Sequence, residues 1–243
     1  MEGIKVLLSN PEGAVNLGFI ARAMANTGFS DLSYSGRLNR LHPTALKYAL
    51  IASDILENSK QTEDFEELIK DSDRIIGISM RTPQTEARHI HLSELKGYLN
   101  EIRKKGLTAG LLFGNEKAGL SNTQLSACHR YVSLDTSDSF PSMNLAQAVL
   151  VVLWEIKDIQ PVIPENGIKY ADRTLMDALT EKMRTFLTTF GYLNPQNPEK
   201  IFDEIRRMTE SKDLTEREVQ LMLSVMGKCM GEHNAALKKS RNI

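Results

Sequence analysis

Cysteine is scarce in this chain, and long apolar runs are missing. The two cysteines among 243 residues, Cys128 and Cys229, form neither a disulfide framework nor a zinc-ligand spacing. No run approaches the roughly 18 apolar residues that span a bilayer, and residues 1–5 lack the pattern of a signal peptide. The sequence therefore predicts a cytoplasmic protein without disulfides and without a membrane segment.

An excess of charge is missing as well, because the net charge is only −1. Dedicated nucleic-acid binders usually carry a strongly basic domain, so the composition alone argues against a nucleic-acid partner. Basic residues can still cluster locally, although a solvated charged surface is the alternative interpretation for each of them. The candidate phosphate contacts are Arg81, Arg88, Lys104, Lys105, Arg206, Arg207, Lys238, Lys239 and Arg241.

Short apolar segments alternate with helical patterns over the first 157 residues. Strands are predicted at 4–8, 31–34, 74–79, 108–113 and 131–134, and helices at 15–26, 44–52, 65–70, 93–105 and 121–128. The strands are short and apolar rather than alternating, which is typical of strands buried on both faces. This order predicts an α/β fold with a parallel sheet and helices on both of its faces.

A composition shift marks the second half of the chain. Residues 158–169 contain two prolines and a glycine and are interpreted as a linker. Helices are predicted at 171–190, 198–209 and 215–230, the last opening on a Thr215/Glu218 capping box. We therefore predict a domain at 1–157, a small all-helical domain at 170–232 and a disordered tail at 233–243.

The segment 145–155 (LAQAVLVVLWE) is apolar on nearly every side. A helix that only covers a surface needs one apolar face, so this helix must be covered on more than one. It is predicted either to pass deep into the domain or to lie in a dimer interface.

Three short stretches at the ends of apolar runs carry the polar residues of interest. They are 16–24 (NLGFIARAM), 113–121 (FGNEKAGLS) and 142–149 (SMNLAQAV). The glycines Gly114 and Gly119 have the spacing of a phosphate-binding Walker A loop, but Leu120 stands where that motif needs lysine. A nucleotide hydrolase is therefore disfavoured. His89 and His91 could suggest a metal site, but no ligand cluster completes the pair, so no metal is predicted.

Together, and in this order, the three stretches resemble the motifs of the SPOUT class of RNA ribose methyltransferases, in its SpoU/TrmH branch. The helical segments after residue 170 are similar to the C-terminal part of TrmJ-type tRNA methyltransferases. The resemblance implies a C-terminal trefoil knot, a homodimer and S-adenosylmethionine as the methyl donor. It also implies RNA as the partner, with tRNA favoured.

The resemblance assigns catalytic roles to five residues. Arg22 is the motif 1 arginine beside the target hydroxyl, and Asn16 orients the ribose or neighbouring backbone. Glu116 orients a loop or an arginine through charge-assisted hydrogen bonds. Ser142 and Asn144 belong to motif 3, which wraps closely around the cofactor and the nucleotide. For Arg22, Asn16 and Glu116 a purely structural role is the alternative.

Cofactor contacts in this class are mostly backbone groups at strand ends, so the sequence indicates them weakly. The positions implied by the motifs are Ser79, Met80, Arg81, Gly114, Asn115, Leu134, Ser142 and Met143.

The function implied by the resemblance is S-adenosylmethionine-dependent 2′-O-methylation of tRNA at nucleotide 32 of the anticodon loop. Two alternatives remain open at this point. One is methylation of ribosomal RNA or of another tRNA position, because related enzymes share the motifs. The other is an RNA-binding protein that has the same fold but no catalytic activity.

Overall fold

A computed structural model of the chain describes residues 3–79, 88–137, 139–161, 167–193, 198–210 and 212–241. The chain divides into two compact units, Met1–Glu165 and Asn166–Ile243.

The first unit contains a seven-stranded, entirely parallel sheet. Its strands are β1 (Ile4–Leu8), β2 (Leu32–Ser35), β3 (Lys60–Thr62), β4 (Arg74–Ser79), β5 (His89–Ile90), β6 (Ala109–Phe113) and β7 (Arg130–Ser133). Their order across the sheet is β3-β2-β1-β6-β4-β7-β5.

Seven helices belong to the described part of this unit. They are α1 (Ala14–Thr27), α2 (Pro43–Ala49), α3 (Ser53–Glu57), α4 (Phe65–Ile69), α5 (Leu92–Lys104), α6 (Asn122–Ser126) and α7 (Leu145–Ile156), with a 3-10 turn at Leu50–Ala52. Gly28 ends α1 in the left-handed conformation, with φ 79°. Gly18 lets α2 approach α1 closely, since a Cβ atom there would lie 2.5 Å from the Ala45 carbonyl oxygen.

The strand register places all site loops at one edge of the sheet. Leu8 at the end of β1 and Ile78 near the end of β4 both pair with Phe113, the last residue of β6. Ser79 in turn pairs with Ser133, the last residue of β7. Because parallel strands all point the same way, the segments that follow these four strands emerge side by side.

The predicted α/β architecture with a parallel sheet is confirmed. Three short elements, β3, β5 and α3, lie where the sequence predicts none. The two strands have only 3 and 2 residues and sit at the outer edges of the sheet, so they lack the apolar run that identifies a buried strand. Their pairing depends on the adjacent strands rather than on an apolar pattern in their own residues.

Helix α7 buries one side and exposes another within this chain. Its buried residues include Val149, Val152 and Leu153, while Leu150, Val151 and Trp154 are 39%, 39% and 57% exposed. The apolar composition of α7 is thus only partly explained by packing inside the first unit.

The second unit contains three described helices, α8 (Arg173–Thr189), α9 (Pro198–Glu210) and α10 (Glu216–Arg241). They enclose a small core of Ala171, Met176, Leu179, Met183, Phe202, Val219 and Met226. The capping box forms as predicted, because Thr215 and Glu218 exchange side-chain and backbone hydrogen bonds.

The prediction of a disordered tail at 233–243 differs from the structure. Helix α10 continues to Arg241. Strong helix formers at 235–237 (AAL) prolong a helix that is already nucleated upstream. The charge and polarity of this segment alone therefore did not predict its helix.

Among the described residues, no helix is both long and apolar enough to cross a membrane. In the same part of the chain, no group of three or more His, Cys, Asp or Glu side chains could hold a metal ion.

Candidate active site

The loop after β6 folds back on itself. The Gly119 N–H donates to the Asn115 carbonyl oxygen at 3.0 Å, and the Asn115 side chain accepts from the backbone N–H groups of Lys117 and Ala118. A Cβ atom on Gly114 would lie 2.0 Å from the Gly119 carbonyl carbon, so only glycine permits this close approach. The loop is therefore held in one tight conformation.

This loop forms one wall of a cavity of about 300 Å³, which we call the strand-edge cavity. Its other walls come from the end of β4 and from the segment that leads into α7. Of the predicted cofactor-binding residues, Ser79, Gly114, Asn115, Ser142 and Met143 line it, as does Glu116 from the catalytic set.

Three further residues, Leu134, Met80 and Arg81, are predicted from the sequence to bind the cofactor. Leu134 is buried and its N–H donates to the Ser79 carbonyl oxygen at 3.2 Å, but it does not line the cavity. Met80 and Arg81 lie outside the described residues.

The strand-edge cavity suits S-adenosylmethionine in size and chemistry. Its volume is at the lower end of the range for small-molecule sites, about 300–1,000 Å³. Apolar side chains such as Ile78, Leu145 and Ala148 can cover a purine ring, while Ser79, Asn115 and exposed backbone can meet its polar groups and the amino-acid portion. Bound there, the cofactor would supply the electrophilic methyl group.

Glu116 connects this loop to the start of α1. Its carboxylate accepts hydrogen bonds at 2.9 Å from the backbone N–H groups of Glu12 and Gly13 and from Nδ2 of Asn16. Gly13 is the N-cap of α1, and its N–H group donates to the carboxylate of Glu116, which is 103 residues away, as the N-cap N–H donates to a local carboxylate in a capping box.

Ionised Glu116 also fixes the orientation of two asparagine side chains. Because a carboxylate only accepts, Asn16 must turn its NH₂ group towards Glu116, which leaves its Oδ1 to accept from Nδ2 of Asn144 at 2.9 Å. The Oδ1 of Asn144 then accepts from the N–H groups of Ala146 and Gln147 in the first turn of α7. This relay joins all three motif stretches.

The electrostatics of Glu116 follow from these contacts. Burial of the carboxyl group raises the pKa of Glu116, but the hydrogen bonds donated by Asn16, Glu12 and Gly13 together outweigh it. The pKa of Glu116 therefore lies below its usual range, and the carboxylate that orients the relay persists at neutral pH.

A second concavity, which we call the helix groove, has a volume of about 560 Å³ and lies between α1 and α7. The predicted residues Asn16, Arg22 and Asn144 line it. The guanidinium of Arg22 is exposed, lies over the Phe19 ring with Cζ 5.8 Å from its centroid, and makes no hydrogen bond or ion pair with any described residue. It is a cation free to meet an anionic ligand.

The five predicted catalytic residues thus lie in two adjoining places. Glu116 and Ser142 line the strand-edge cavity, whereas Asn16, Arg22 and Asn144 line the helix groove. The hydrogen bond between Asn16 and Glu116 joins the two.

Sequence reasoning missed several lining residues. Phe19, Asn26 and Gln147 line the helix groove, and Leu145 and Ala148 line the strand-edge cavity. Helical spacing could have identified Phe19 and Gln147, because each lies three positions after a predicted site asparagine and so shares its face.

Replacement of Glu116 by glutamine should lower the free energy of unfolding at neutral pH by about 1–2 kcal/mol, a modest value because the site is partly exposed. The amide offers only one acceptor oxygen to three donors. Since the folded-state pKa of Glu116 is depressed, this stabilisation is fully present above the ordinary carboxyl pKa and is lost as the pH falls through the folded-state value. Denaturant unfolding of both proteins across this pH range measures it.

The control is Glu57→Gln, because the side chain of Glu57 is exposed on α3 and its carboxylate makes no hydrogen bond with the described residues. Its effect should be small at every pH. A difference between wild type and Glu116→Gln that stays constant down to acidic pH would contradict the role of the ionised carboxylate.

Comparison with known proteins agrees with this geometry. Residues 3–154 match the SpoU rRNA Methylase family. The chain is 32% identical over 189 residues to the tRNA (cytidine-2′-O-)-methyltransferase TrmJ of Methanocaldococcus jannaschii, covering 76% of this chain and 81% of the relative. It is 23% identical over 238 residues to the tRNA (cytidine/uridine-2′-O-)-methyltransferase TrmJ of Escherichia coli K12, covering 93% and 94%.

Among solved structures, TrmJ from Z. mobilis ZM4 superimposes with a TM-score of 0.77 at 23% identity, covering 93% of this chain and 98% of the other. The SpoU methyltransferase AviRb from Streptomyces viridochromogenes, solved in complex with the cofactor AdoMet, superimposes with a TM-score of 0.51 at 21% identity, covering 63% and 56%. The family match covers most of the first unit. The chain therefore belongs to the SpoU rRNA Methylase family of S-adenosylmethionine-dependent RNA 2′-O-methyltransferases.

Proposed function

We propose that this enzyme methylates the ribose 2′-hydroxyl of tRNA at nucleotide 32 of the anticodon loop, in the cytoplasm. The observation that carries the proposal is the relay from Glu116 through Asn16 to Asn144, which brings the three motif stretches together beside the guanidinium of Arg22. None of the described residues forms a hydrogen bond or ion pair with that guanidinium. A cofactor-sized cavity adjoins it.

Arg22 is assigned to stabilisation of the developing alkoxide. A guanidinium has a pKa above about 12, so it does not remove a proton in water. One of its N–H groups can instead donate to the ribose oxygen, where negative charge accumulates as the O–H bond breaks. A second can donate to the adjacent phosphate. The proton of the hydroxyl passes to a phosphate oxygen of the RNA.

The other motif residues position these groups. Asn16 and Asn144 lie in the helix groove beside Arg22, and Glu116 fixes their orientation. Ser142 is exposed on the strand-edge cavity and makes no hydrogen bond with the described residues, so its hydroxyl is available to the cofactor or the nucleotide.

The tRNA assignment is supported by relatives named as tRNA methyltransferases that align over nearly the whole chain, including the second unit. The family domain itself ends at residue 154. We therefore assign the helical second unit to tRNA binding.

Deletion of residues 166–243 should weaken tRNA affinity by about tenfold or more while changing S-adenosylmethionine affinity less than about threefold. The strand-edge cavity is built entirely by residues of the first unit, so its ligand does not depend on the deleted helices. Equilibrium binding of each ligand to both forms of the protein measures the difference. Unchanged tRNA affinity would contradict a role for the second unit in RNA binding.

A homodimer is supported by the exposed apolar side chains on neighbouring helices of the first unit. Val15 and Phe19 on α1 are 38% and 40% exposed, and Trp154 on α7 is 57% exposed. We propose that two copies bury these residues against each other. We also assign the trefoil knot of the class to the segment between β7 and α7.

The decisive experiment is transfer of labelled methyl from S-adenosylmethionine to unmodified total tRNA, followed by mapping of the labelled nucleotide. Label on the ribose of nucleotide 32 is the expected result. Label on another tRNA position or on ribosomal RNA would leave the chemistry intact and overturn the proposed target. Binding of cofactor and RNA without any transfer would overturn catalysis itself.

A further inference from the structure

A third concavity opens at the same edge of the sheet as the active site. It has a volume of about 640 Å³ and is lined by Gly36, Arg37, Gln61, Thr62 and Glu63, which follow or end β2 and β3. We call it the rim cavity. Strands β2 and β3 run parallel to β1 and β6, so their carboxyl ends lie on the side from which the motif loops emerge.

The loop that forms the rim cavity is braced by hydrogen bonds on several sides. Gly36 donates its N–H to the Thr62 carbonyl at 3.1 Å and accepts from Nε2 of Gln61 at 2.7 Å. The buried hydroxyl of Tyr34 donates to the Leu38 carbonyl at 2.8 Å. Burial raises the pKa of Tyr34 to about 12, so this hydroxyl keeps its proton and the brace holds at physiological pH.

The conformation of the loop requires glycine at position 36. Its φ is +104°, and a Cβ atom there would lie 2.7 Å from Oδ1 of Asn10, which itself has a φ of 52°. Any other residue at this position would be strained and would disturb the braced loop.

Two arginines on this loop have different surroundings. Arg40 is partly buried and donates through Nη1 to the Ser59 carbonyl at 2.7 Å, so it serves the fold. Arg37 is exposed, lines the rim cavity, and makes no hydrogen bond or ion pair with the described residues. A rigid loop thus carries one cation that the fold does not use.

Arg37 and the catalytic groups follow strands that end at the same edge of the sheet. Strand β2 is separated from β6 by β1 alone, so the two strand ends are about 10 Å apart at the usual spacing of about 4.8 Å per step. The N-terminus of α1, which carries Asn16, follows β1 between them. A short single-stranded segment of RNA running along this edge would pass both the relay and Arg37.

We propose that Arg37 binds a phosphodiester group of the RNA strand close to the target nucleotide. The inference rests on the proposed function, because it concerns how the same substrate is held. A guanidinium is suited to this role, since its planar donors match two phosphate oxygens at once. Arg37 is absent from the phosphate contacts predicted from sequence, because a single arginine between Gly36 and Leu38 has no local signature.

Glu63 is the acidic side chain among the residues lining the rim cavity, and it is exposed. A phosphate bound by Arg37 would experience its repulsion, which solvent screens at that exposure. Removal of the Arg37 charge should therefore weaken binding of the phosphate, and removal of the Glu63 charge should strengthen it.

The test measures binding of an unmodified tRNA transcript as a function of salt, together with steady-state methylation, for Arg37→Gln, Glu63→Gln and Lys60→Gln. Lys60 is the matched control, because it lies on β3 beside Gln61 and its ammonium group already pairs with Asp71. Its substitution removes the same charge from the same region of the fold.

Arg37→Gln should weaken tRNA binding about three- to tenfold and reduce the slope of log affinity against log salt by about 1. The loss should appear in KM for tRNA rather than in kcat. Glu63→Gln should strengthen binding about twofold through removed repulsion, and Lys60→Gln should behave as wild type.

Equal effects of Arg37→Gln and Lys60→Gln would overturn the inference, because general charge would then explain them. A fall in kcat with unchanged tRNA affinity would overturn it too, since Arg37 would then act on the chemistry. If the wild-type enzyme methylates the tRNA and only the Arg37 result fails, the proposed function stands. If wild type neither binds nor methylates tRNA, both fail together.

Discussion

Replacement of Arg22 by alanine should reduce methyl transfer to RNA by about 100- to 1,000-fold, the scale expected when a donor to a developing oxyanion is removed. The affinity for S-adenosylmethionine should change less than about threefold. The reason is positional: Arg22 lies in the helix groove, and the strand-edge cavity has no contribution from it. Single-turnover transfer to tRNA and calorimetric titration with the cofactor measure the two quantities separately.

A lysine at position 22 is the informative companion variant. It keeps the positive charge but has a point-like ammonium in place of the planar fork, so it should recover only part of the lost rate. Collapse of cofactor binding in the alanine variant would show that Arg22 shapes the cavity instead, and full activity of that variant would remove it from the mechanism.

Replacement of Gly114 by alanine should weaken S-adenosylmethionine binding by about 100-fold or more and destabilise the fold by about 1–3 kcal/mol, as overpacking usually does. The added Cβ atom would lie 2.0 Å from the Gly119 carbonyl carbon and 2.3 Å from the Leu120 nitrogen. Both neighbours are backbone atoms, so the loop must open to admit the methyl group, and the cavity wall is lost with it. Cofactor titration and denaturant unfolding measure the two effects.

Gly97→Ala provides a matched glycine-to-alanine control. Gly97 lies within α5, and a Cβ atom there would meet nothing within 4 Å. Alanine should leave cofactor binding unchanged and stabilise the protein by up to about 1 kcal/mol, because glycine is a poor helix former. Normal cofactor affinity in Gly114→Ala would show that the loop is not the wall of the cofactor site.

Prediction from sequence succeeded where a residue's role depends on local pattern. The run 108–113 predicts a buried strand because it is apolar rather than alternating, and the strand β6 occupies 109–113. Thr215 and Glu218 predict a capping box, and the two residues exchange the expected hydrogen bonds. Capping and strand burial are decided by neighbouring residues, so their signals survive in a single sequence.

Prediction failed where an element depends on distant partners. The two-residue strand β5 exists because His89 and Ile90 pair with Tyr131 and Val132 of β7. The C-terminal part of α10 was expected to be disordered on polarity, although helix propagation from the preceding turns extends it to Arg241. The pairing of β5 cannot be derived from the residues of that strand alone, whereas the extension of α10 follows from helix propensity, which a judgement on polarity overlooks.

By itself, the sequence determined the alternation of strands and helices, because apolar periodicity is a local property, and its resemblance to the SpoU/TrmH motifs indicated Asn16, Arg22, Glu116 and Asn144. Only the tertiary structure decided the strand order, which brings Glu116 to the start of α1, 103 residues away from Gly13. It also decided that, within the described part of the chain, Arg22 and Arg37 make no hydrogen bond or ion pair while Arg40 donates to the Ser59 carbonyl. Such contacts depend on which chain segments the sheet makes neighbours, and that is set by packing of the whole unit rather than by any one segment.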